Sequence, residues 1–357
     1  MPVEPRRLLE GYDTRSPAVA VLGSHSALQI LHGARAEGLS TVLIVTRDRL
    51  WFYEQFSHLV DRFVVVDRWP DLCRDDVISE LRRFSAILVP HGSLVEYVGI
   101  GCVMELRLPV FGLRNLFEVE ADQRRKMGLL REAGIETPKQ FRVGEGFKGL
   151  AIVKLGGAKG GRGYFLARTP EEVVKGVDAL ARSGVIRGPE NVLVQEYVVG
   201  APLYVHFFYS PILGRLELMG ADIRYESNAD GIGRLTPKYL EHLGIEPSFV
   251  VVGNIPVVLR ESLLPKVMRF GQGFVEATKR LLPPGIIGPF CLEGVVTEDL
   301  RFLVFEFSGR IVAGTNLYVQ GSPYSQLYWG EPMSMGRRIA REIRIASEEG
   351  RLGEVVT

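Results

Sequence analysis

The sequence predicts an α/β protein in which an open, parallel α/β unit precedes a larger α+β unit. From residue 18 to about residue 115, short apolar runs alternate with amphipathic stretches, as they do in βαβ units. From Phe141 onward, longer alternating strands with glycine punctuation replace this rhythm. The chain has 357 residues, more than one hydrophobic core ordinarily holds, so two or three packed units are expected.

The elements of the first unit follow from its apolar periodicity. Helices are predicted at residues 26–37 and 74–84, and Gly38 favours the left-handed turn that ends the first of them. A third helix, at residues 120–133, ends before Gly134. Buried parallel strands are predicted at residues 18–22, 41–45, 63–66, 86–89 and 109–111.

The second half of the chain has longer strands and two further helices. The helices are predicted at residues 263–282 and 335–348. The strands are predicted at residues 191–199, 203–209, 216–219 and 302–306.

The composition is that of a globular protein, with 46% hydrophobic and 24% charged residues. A formal net charge of +1 argues against nucleic acid or a membrane surface as the main partner. The three cysteines, Cys73, Cys102 and Cys291, are far apart, which predicts neither a disulfide framework nor a metal site. No apolar run reaches membrane-spanning length, and the charged start lacks the apolar core of a signal peptide. We therefore expect a cytoplasmic protein.

A glycine-rich loop between two apolar strands is the most informative segment. Five glycines fall within Gly156–Gly163, after a strand that contains Lys154, and Lys159 and Arg162 add positive charge. Glycines at this density let backbone N–H groups converge on an anion. The loop lacks the Walker motif, and the strand that follows it excludes the dinucleotide fingerprint. The pattern predicts a flap over the phosphates of a nucleoside triphosphate, with a plain surface hairpin as the alternative.

Two similar turns follow strands of the first unit. Gly23-Ser24-His25-Ser26 comes after the first predicted strand, and His91-Gly92-Ser93 comes after the fourth. The carboxyl ends of parallel strands line the ligand crevice of an open sheet, and a helix N-terminus there favours phosphate. The turns therefore predict a site for a phosphorylated small molecule. The alternative is that they only cap helices and that His25 is a solvated loop residue.

Two glutamates, Glu293 and Glu306, lie within apolar strand patterns. Burying a carboxylate is costly unless it is neutralised, so a divalent cation completed by nucleotide phosphates explains the pair. A solvent-facing strand edge is the alternative. The run Gln195-Glu-Tyr-Val198 has the pattern of a strand edge that offers backbone groups to a nucleotide base. The sequence has no HExxH, no GxSxG and no GxGxxG after the first strand, so metallohydrolase, serine hydrolase and dehydrogenase functions lack support.

Taken in chain order, these features resemble the ATP-grasp superfamily. The order is an open α/β unit, a helix ending Leu-Leu-Arg-Glu-Ala-Gly-Ile-Glu-Thr-Pro138, a strand with Lys154, the flap, a Gln-Glu-Tyr hinge and two late carboxylates. The resemblance implies a Rossmann-like pre-ATP-grasp domain and a two-lobed α+β ATP-grasp domain. The implied boundaries are residues 1–118 for the first domain, 119–200 for the small lobe with the flap and 201–357 for the large lobe with the metal site.

A more specific resemblance covers nearly the whole chain. Strings such as Val89-Pro-His-Gly-Ser93, Arg224-Tyr-Glu-Ser-Asn228 and Gly253-Asn-Ile-Pro-Val-Val258 are similar to the archaeal formate-dependent synthetases of formaminoimidazole carboxamide ribonucleotide (FAICAR). The resemblance implies that formate, ATP and aminoimidazole carboxamide ribonucleotide (AICAR) give FAICAR, ADP and phosphate in purine synthesis. Formyl phosphate is the implied intermediate. Such chemistry rests on positioning and charge neutralisation rather than on a protein nucleophile.

The resemblance also implies roles for individual residues. AICAR would contact His25, Ser93 and Asn254, His25 would be a candidate base for the amine, and Arg310 would stabilise the transferred phosphoryl group. A homo-oligomer, either a trimer or a hexamer, is implied as well. ATP would be bound by Lys154, Gly156, Gly157, Lys159, Gly160, Gly161, Arg162, Gly163, Gln195, Glu196, Tyr197, Val198 and Glu226.

The implied metal site departs from the family pattern. Glu293 and Glu306 are the implied ligands of Mg²⁺ or Mn²⁺, but Ser308 stands where many ATP-grasp enzymes place an Asn ligand. The run Val312-Ala313 lacks the acidic residue expected in members that make FAICAR. Two alternatives therefore stay open: an ATP-grasp carboxylate–amine ligase with another acid or acceptor, and a non-catalytic nucleotide-binding paralogue with a regulatory role.

Overall fold

The computed structural model describes residues 5–155, 164–245 and 247–357. Its strands are β1 (Ala18–Leu22), β2 (Ser40–Thr46), β3 (Arg62–Val66), β4 (Ala86–Leu88), β5 (Gln140–Phe141), β6 (Ala151–Leu155), β7 (Tyr164–Ala167), β8 (Val192–Glu196), β9 (Ala201–Ser210), β10 (Arg215–Glu226), β11 (Val251–Pro256), β12 (Gly288–Val296) and β13 (Phe302–Ser308).

The α-helices of the described residues are α1 (Pro5–Leu8), α2 (Ala27–Ala36), α3 (Arg47–Glu54), α4 (Asp75–Arg83), α5 (Ser93–Val98), α6 (Ile100–Glu105), α7 (Leu116–Ala121), α8 (Gln123–Glu132), α9 (Pro170–Arg182), α10 (Ser227–Ile232), α11 (Pro237–Leu243), α12 (Leu264–Leu281), α13 (Pro323–Trp329) and α14 (Met335–Glu348).

The first sheet is parallel throughout and has the order β3-β2-β1-β4. Every residue of β1 and β4 is buried, because α2 and α14 cover one face of the sheet and α4 and α5 cover the other. This arrangement confirms the predicted open, doubly wound unit for four of its five strands. The prediction of a strand at residues 109–111 was wrong: Val110 and Phe111 form only isolated bridges, and Gly112 turns the chain away with φ +99°.

The second sheet has the antiparallel order β5-β8-β6-β7, and α9 packs on one of its faces. Successive strand residues point to opposite faces, so Val153 and Val194 pack beneath α9 while Lys154 lies on the other face. Lys154 of β6 pairs with Tyr164 of β7. β6 precedes the glycine-rich loop, and β7 follows it. Residues 156–163 themselves lie outside the described residues.

The third sheet has the antiparallel order β11-β10-β9-β12-β13. One face packs on α12, with Phe274 stacked on Phe290 at a ring-centroid distance of 4.9 Å. The opposite face packs on the first unit through Phe208 and Met219. The polar residues of this second face therefore lie close to the turns that follow β1 and β4.

The helix predicted at residues 120–133 is two helices, α7 and α8. Asp122 separates them with an extended backbone conformation (φ −106°, ψ 112°). Its carboxylate accepts hydrogen bonds from the amides of Arg124 and Arg125, so it caps α8 rather than continuing a single helix.

The cysteine prediction was wrong for one pair. Cys73 and Cys102, which are 29 residues apart in sequence, form a disulfide with a Cα–Cα distance of 6.3 Å. The pair forms because α6 packs against the 3₁₀ turn Trp69–Cys73, a tertiary contact that cysteine spacing does not encode. Cys291 is free and buried.

Within the described residues, no helix is both long enough and apolar enough to cross a lipid bilayer.

A buried ion cluster attaches α14 to the third sheet, and it generates a stability prediction. Arg338 donates to Glu217 at 2.9 Å and to Glu342 at 2.8 Å, and all three side chains are fully buried. Replacing Arg338 by Met leaves Glu342 buried without its cation, which should lower the free energy of unfolding by about 3–5 kcal/mol. Chemical denaturation measures the loss. The matched control is Arg74→Met, which removes an exposed pair with Asp76 and should leave the midpoint unchanged. Equal midpoints for the two variants would contradict the prediction.

Candidate functional site

The functional face of the third sheet is set by the side-chain alternation of β10. Asp222, Arg224 and Glu226 are two residues apart and therefore share one face of the sheet. Asn254 of β11 lies opposite Arg224 in the ladder. The alternation places four polar side chains side by side at the junction with the first unit.

The two predicted metal ligands are neighbours on the same sheet. Glu293 of β12 lies directly opposite Glu306 of β13. A β-bulge follows immediately, between Glu293 and Gly294. Only glycine fits at position 294, because a Cβ there would come within 2.3 Å of the Leu303 carbonyl oxygen. Bulges re-aim neighbouring side chains, and this one adjoins Phe305.

Each of these carboxylates has its own cation. Glu293 forms an ion pair with Arg224, and its Oε1 accepts from Ser308 Oγ at 2.8 Å. Glu306 Oε1 lies 2.7 Å from Nζ of Lys126, which is fully buried. Burial opposes ionisation of Glu306, but Lys126 and Lys154 outweigh it and lower the pKa of that carboxyl well below its usual range. Glu306 is therefore ionised at neutral pH.

Lys154 reaches the same place from the small lobe. Its Nζ lies 4.6 Å from the ring centroid of Phe305, the residue beside the bulge. Burial lowers the pKa of Lys154 to about 8, while Glu306 and Glu293 favour its charged form. A cation of the second sheet thus lies near the carboxylates of the third sheet, and its predicted role at the phosphates of a nucleotide stays a prediction.

The chemistry of these donors fits a hard divalent cation. Two carboxylates on one face offer oxygen atoms, which Mg²⁺ and Mn²⁺ prefer. In the described part of the chain, no cluster of three or more metal-type side chains occurs. An ion at Glu293 and Glu306 would therefore take its remaining ligands from phosphate oxygens and water.

The two turns of the first unit meet, as predicted. Ser24 Oγ and Ser93 Oγ are 3.3 Å apart, and the rings of His25 and His91 stack with a centroid distance of 5.3 Å and an interplanar angle of 8°. The His25 ring packs closely on the second turn, because a Cβ at Gly92 would come within 2.6 Å of His25 Nε2.

The two histidines are held neutral. The surrounding protein desolvates the His25 ring, although part of the residue is open to solvent, and His91, Arg310 and Arg224 add to the effect. The pKa of His25 therefore lies well below its usual range. Burial lowers the pKa of His91 to about 4. His25 is thus unprotonated at neutral pH and can accept a proton.

The chain segment after β13 brings Arg310 next to the turn that follows β1. Ile311 forms a bridge with His91, and Asn316 Nδ2 donates to the His25 carbonyl oxygen at 3.1 Å. The guanidinium of Arg310 donates to Glu120 Oε1 at 2.9 Å. The segment after β13 therefore joins the sheet carboxylates to the turns of the first unit.

Asn254 is oriented by a buried chain of hydrogen bonds. Its Nδ2 donates to Asp222 Oδ2 at 2.7 Å, and Asp222 Oδ1 lies 2.7 Å from His206 Nε2. Gly314 approaches this carboxylate so closely that a Cβ would come within 2.2 Å of Asp222 Oδ1. Because Asn254 donates to Asp222 through Nδ2, this hydrogen bond orients the amide and leaves the Asn254 Oδ1 as an acceptor.

The structure brings together only some of the residues predicted to bind the base and ribose of ATP. Glu226 lies close enough to Tyr197 and Tyr164 to raise the pKa of both phenols, in which burial is the larger cause. The hinge residue Tyr197 and the large-lobe residue Glu226 therefore face each other. Burial raises the pKa of Glu226 itself to about 7, with Arg224 opposing and Asp230 adding to the effect.

Other hinge residues are already engaged within the protein. Gln195 is buried, and its Nε2 lies 3.1 Å from Met127 Sδ, so its side chain contacts α8. The amides of Glu196 and Tyr197 donate to the carbonyl oxygens of Lys139 and Leu150, both at 2.8 Å. These two N–H groups are therefore engaged within the protein, and binding of a nucleotide base by other backbone groups of this run stays a prediction. Val198 follows them outside β8.

The remaining predicted ATP ligands, Gly156, Gly157, Lys159, Gly160, Gly161, Arg162 and Gly163, lie outside the described residues.

Sequence reasoning missed several residues of this site. Asp222 and Arg224 could have been found from the alternation of polar side chains along β10. Lys126, Glu120 and His206 carry no comparable signal, because each is brought to the site only by tertiary packing.

Two family models match the chain. DUF1246, a protein of unknown function, matches residues 19–141, and DUF1297, a domain of unknown function, matches residues 172–357.

Similar proteins and structures cover almost the whole chain. A 5-formaminoimidazole-4-carboxamide-1-(beta)-D-ribofuranosyl 5'-monophosphate synthetase from Ignicoccus hospitalis is 58% identical over 349 residues, which are 98% of each chain. The crystal structure of an IMP biosynthesis protein PurP from Thermococcus kodakaraensis is 37% identical, with a TM-score of 0.75, and covers 95% of this chain and 100% of its own.

A more distant structure supports the fold alone. The ADP complex of purK, an N5-carboxyaminoimidazole ribonucleotide synthetase, is 13% identical, with a TM-score of 0.63, and covers 92% of this chain and 78% of its own. The ATP-grasp fold predicted from the sequence is thus confirmed. With the identities above, the chain belongs to the family of 5-formaminoimidazole-4-carboxamide ribonucleotide synthetases, ATP-grasp ligases of purine biosynthesis.

Proposed function

We propose that this protein joins formate to AICAR at the expense of ATP, giving FAICAR, ADP and phosphate. The observation that carries the proposal is the meeting of two sets of groups at one junction. A cation and two carboxylates suited to nucleotide phosphates lie beside a neutral histidine and an oriented amide suited to a ribonucleotide.

The first step of the proposed reaction activates formate. A formate oxygen attacks the γ-phosphorus of ATP, the bond to the β,γ-bridging oxygen breaks, and ADP leaves with formyl phosphate as the product. Lys154 on the small lobe supports the phosphates, while Arg224 and Arg310 supply positive charge beside the carboxylates. A divalent cation held by Glu293 and Glu306 would neutralise phosphate charge.

The second step transfers the formyl group. The exocyclic amine of AICAR attacks the formyl carbon, and the tetrahedral intermediate expels phosphate. The amine must lose a proton, and the neutral His25 ring accepts it at Nε2 in the tautomer in which Nδ1 donates to Ser26 Oγ, 2.8 Å away. The Asn254 Oδ1, held as an acceptor, suits an N–H or O–H donor of the substrate.

No protein nucleophile is needed for either step. Cys291 lies among these residues, but burial, together with Glu293 and Asp222, raises the pKa of its thiol well above its usual range. The thiol therefore stays protonated and unreactive. Catalysis by positioning and charge is the function that this arrangement supports best.

We also propose that the protein is a cytoplasmic homo-oligomer, a trimer or hexamer. The edge strand β11 and the residues after it expose apolar side chains, including Val252, Ile255 and Val258, at 60, 45 and 66%. Exposed apolar patches on a sheet edge are common at subunit contacts. Light scattering of the purified protein measures the assembly, and a monomer at micromolar concentration would contradict the proposal.

The reaction is tested by incubating purified protein with Mg-ATP, AICAR and ¹³C-formate and following both ADP and the label. Label in FAICAR that depends on all three substrates and is lost in Glu306→Gln supports the proposal. ADP release with another acid, but without formyl transfer, would make the protein a ligase of different specificity. ATP binding without turnover under any condition would make it a regulatory paralogue.

Arg310 is predicted to act in the transition state rather than in ATP binding. Arg310→Met should lower kcat by about 100-fold or more, because it removes a charge aimed at the transferred phosphoryl group. The KM for ATP should change less than about threefold, since Lys154 still holds the phosphates. Steady-state kinetics with Arg310→Lys as the conservative control tests this. A raised KM with unchanged kcat would refute the role.

Asp222 is predicted to position Asn254. Asp222→Asn supplies an amide N–H where an acceptor is needed, so the KM for AICAR should rise by about tenfold or more. The KM for ATP should stay within about twofold, because the affected hydrogen bonds do not involve the nucleotide residues. The matched control is Asp299→Asn in an exposed loop. Equal changes in both KM values would contradict the positioning role.

The raised pKa of Glu226 predicts that kcat/KM for ATP depends on pH. Its pKa of about 7 means that the carboxyl is protonated below that pH and becomes ionised above it. An ionised carboxylate accepts stronger hydrogen bonds from ribose hydroxyls. Accordingly, kcat/KM for ATP should rise from about pH 6 through about pH 7 and fall again above about pH 8, where Lys154 loses its charge. Glu226→Gln should lack the rise. A wild-type profile that falls from about pH 6 to about pH 7 would show that the ionised form is not the active one.

A further inference from the structure

The two cations that pair with the sheet carboxylates differ in their exposure. Lys126, the partner of Glu306, is a fully buried side chain of α8. Arg224, the partner of Glu293, has a side chain that is 30% exposed, although Glu293 itself is only 2% exposed. The first cation is therefore enclosed by the protein, whereas the second has room to move away from its carboxylate.

Arg224 reaches Glu293 across an intervening strand. Arg224 lies on β10 and Glu293 on β12, and β9 separates these two strands in the sheet. Alternate strands of a sheet are about 10 Å apart, so the contact uses the extended length of an arginine side chain. The guanidinium carbon lies 4.3 Å from the ring centroid of Tyr204, which is buried on β9 directly opposite Glu293. The aromatic ring therefore supports Arg224 midway across the sheet.

The two predicted metal ligands are not equally available. Both carboxylate oxygens of Glu293 are engaged, because Oε2 accepts from the Arg224 guanidinium and Oε1 accepts from Ser308 Oγ at 2.8 Å. Lys126 contacts Glu306 through Oε1, and no described residue donates to the Oε2 of Glu306. Glu306 can thus accept a metal ion and keep Lys126, whereas Glu293 has to give up a partner.

A divalent cation and the Arg224 guanidinium compete for Glu293. Because the two carboxylates are cross-strand neighbours and Glu293 is buried, Glu293 requires the guanidinium as long as the metal is absent. A metal bound to both carboxylates would bring two further positive charges to the place of the guanidinium, and like charges at this distance repel. One of the two cations therefore has to leave this carboxylate.

From this geometry we propose that Arg224 is an internal stand-in for the metal at Glu293 and leaves this carboxylate when the metal binds. The inference rests on the proposed function, because it takes Glu293 and Glu306 as the metal ligands. The enclosed Lys126 stays with Glu306. The released guanidinium, still supported by the Tyr204 ring, then offers its donors to an anionic oxygen of a substrate. Metal binding and the availability of this guanidinium are therefore coupled.

The test measures Mn²⁺ binding to the full-length protein, without nucleotide, formate or AICAR, by electron paramagnetic resonance of the free ion. Arg224→Met removes the competing partner of Glu293, so the Kd for Mn²⁺ should fall by at least about tenfold relative to wild type. The matched control is Arg310→Met, which removes the same charge from a pair with Glu120, a residue that is not a predicted ligand. Its Kd should change by less than about threefold. Equal Kd values for the two variants would overturn the proposal.

A second variant separates loss of the contact from loss of the charge. Arg224→Lys keeps a positive charge on β10, but its shorter side chain lacks the reach and the planar fork that the contact across β9 requires. It should therefore bind Mn²⁺ more tightly than wild type does. A wild-type Kd in this variant would show that the Arg224–Glu293 contact does not oppose metal binding.

The unfolding midpoint keeps the proposal falsifiable if Arg224→Met is unstable. This variant leaves Glu293 buried without its cation, so Mn²⁺ should raise its midpoint in denaturant by more than it raises that of wild type. Equal increases would count against the stand-in role.

The outcomes separate this inference from the proposed reaction. Tighter Mn²⁺ binding in both Arg224 variants, together with no formyl transfer by wild type, would support the stand-in role and refute the reaction. Formyl transfer by wild type, with unchanged Mn²⁺ affinity in both variants, would overturn the stand-in role alone.

Discussion

The structure depends on the neutralisation of two carboxylates that face each other inside one sheet. Glu293 and Glu306 are direct cross-strand neighbours, and Arg224 and Lys126 come from two other elements to pair with them. Like charges at this distance repel, and burial amplifies the repulsion, so the cations are required for the sheet to form as it does. A nucleotide with its metal would bring further positive and negative charge to a site that is already balanced pairwise. Binding of the nucleotide and its metal would therefore give Glu293 and Glu306 new ion-pair partners and would leave no unpaired charge at the site.

Side chains from three separate sheets meet at this one site. The segment after β13 carries Arg310 from the sheet carboxylates to the turns of the first unit, and Ile311 and Asn316 attach it there. Lys154 reaches the carboxylates from the small lobe across the bulge at Gly294. Most of the contributing side chains come from strands or from turns at their ends, and Lys126 and Glu120 come from α8 and α7. Such a site can hold an unstable acyl phosphate in place because little has to be ordered when substrates arrive.

The sequence was sufficient for the fold class, which depends on local patterns, whereas the roles predicted for the site residues stay predictions. Buried strands, the glycine-rich loop and the turns after β1 and β4 are periodic or compositional signals, and the structure confirms the meeting of Ser24 with Ser93. Lys126, Glu120 and His206 could not be predicted, because their partners lie 180, 190 and 16 residues away. The Cys73–Cys102 bond has the same non-local origin. Glycine is required at position 314 by the close approach to Asp222, but nothing in the structure explains the missing acidic residue at Val312-Ala313.

The central claim is that the site activates formate as an acyl phosphate without a protein nucleophile, and oxygen tracing tests it most directly. Formate carrying ¹⁸O at both oxygens is converted with ATP and AICAR, and the released phosphate is analysed by mass spectrometry or ³¹P NMR. The account predicts one ¹⁸O in the phosphate for each FAICAR formed, with the other retained in the formyl group. Formation of FAICAR with unlabelled phosphate would contradict it, because the formate oxygen would then never have bonded to phosphorus.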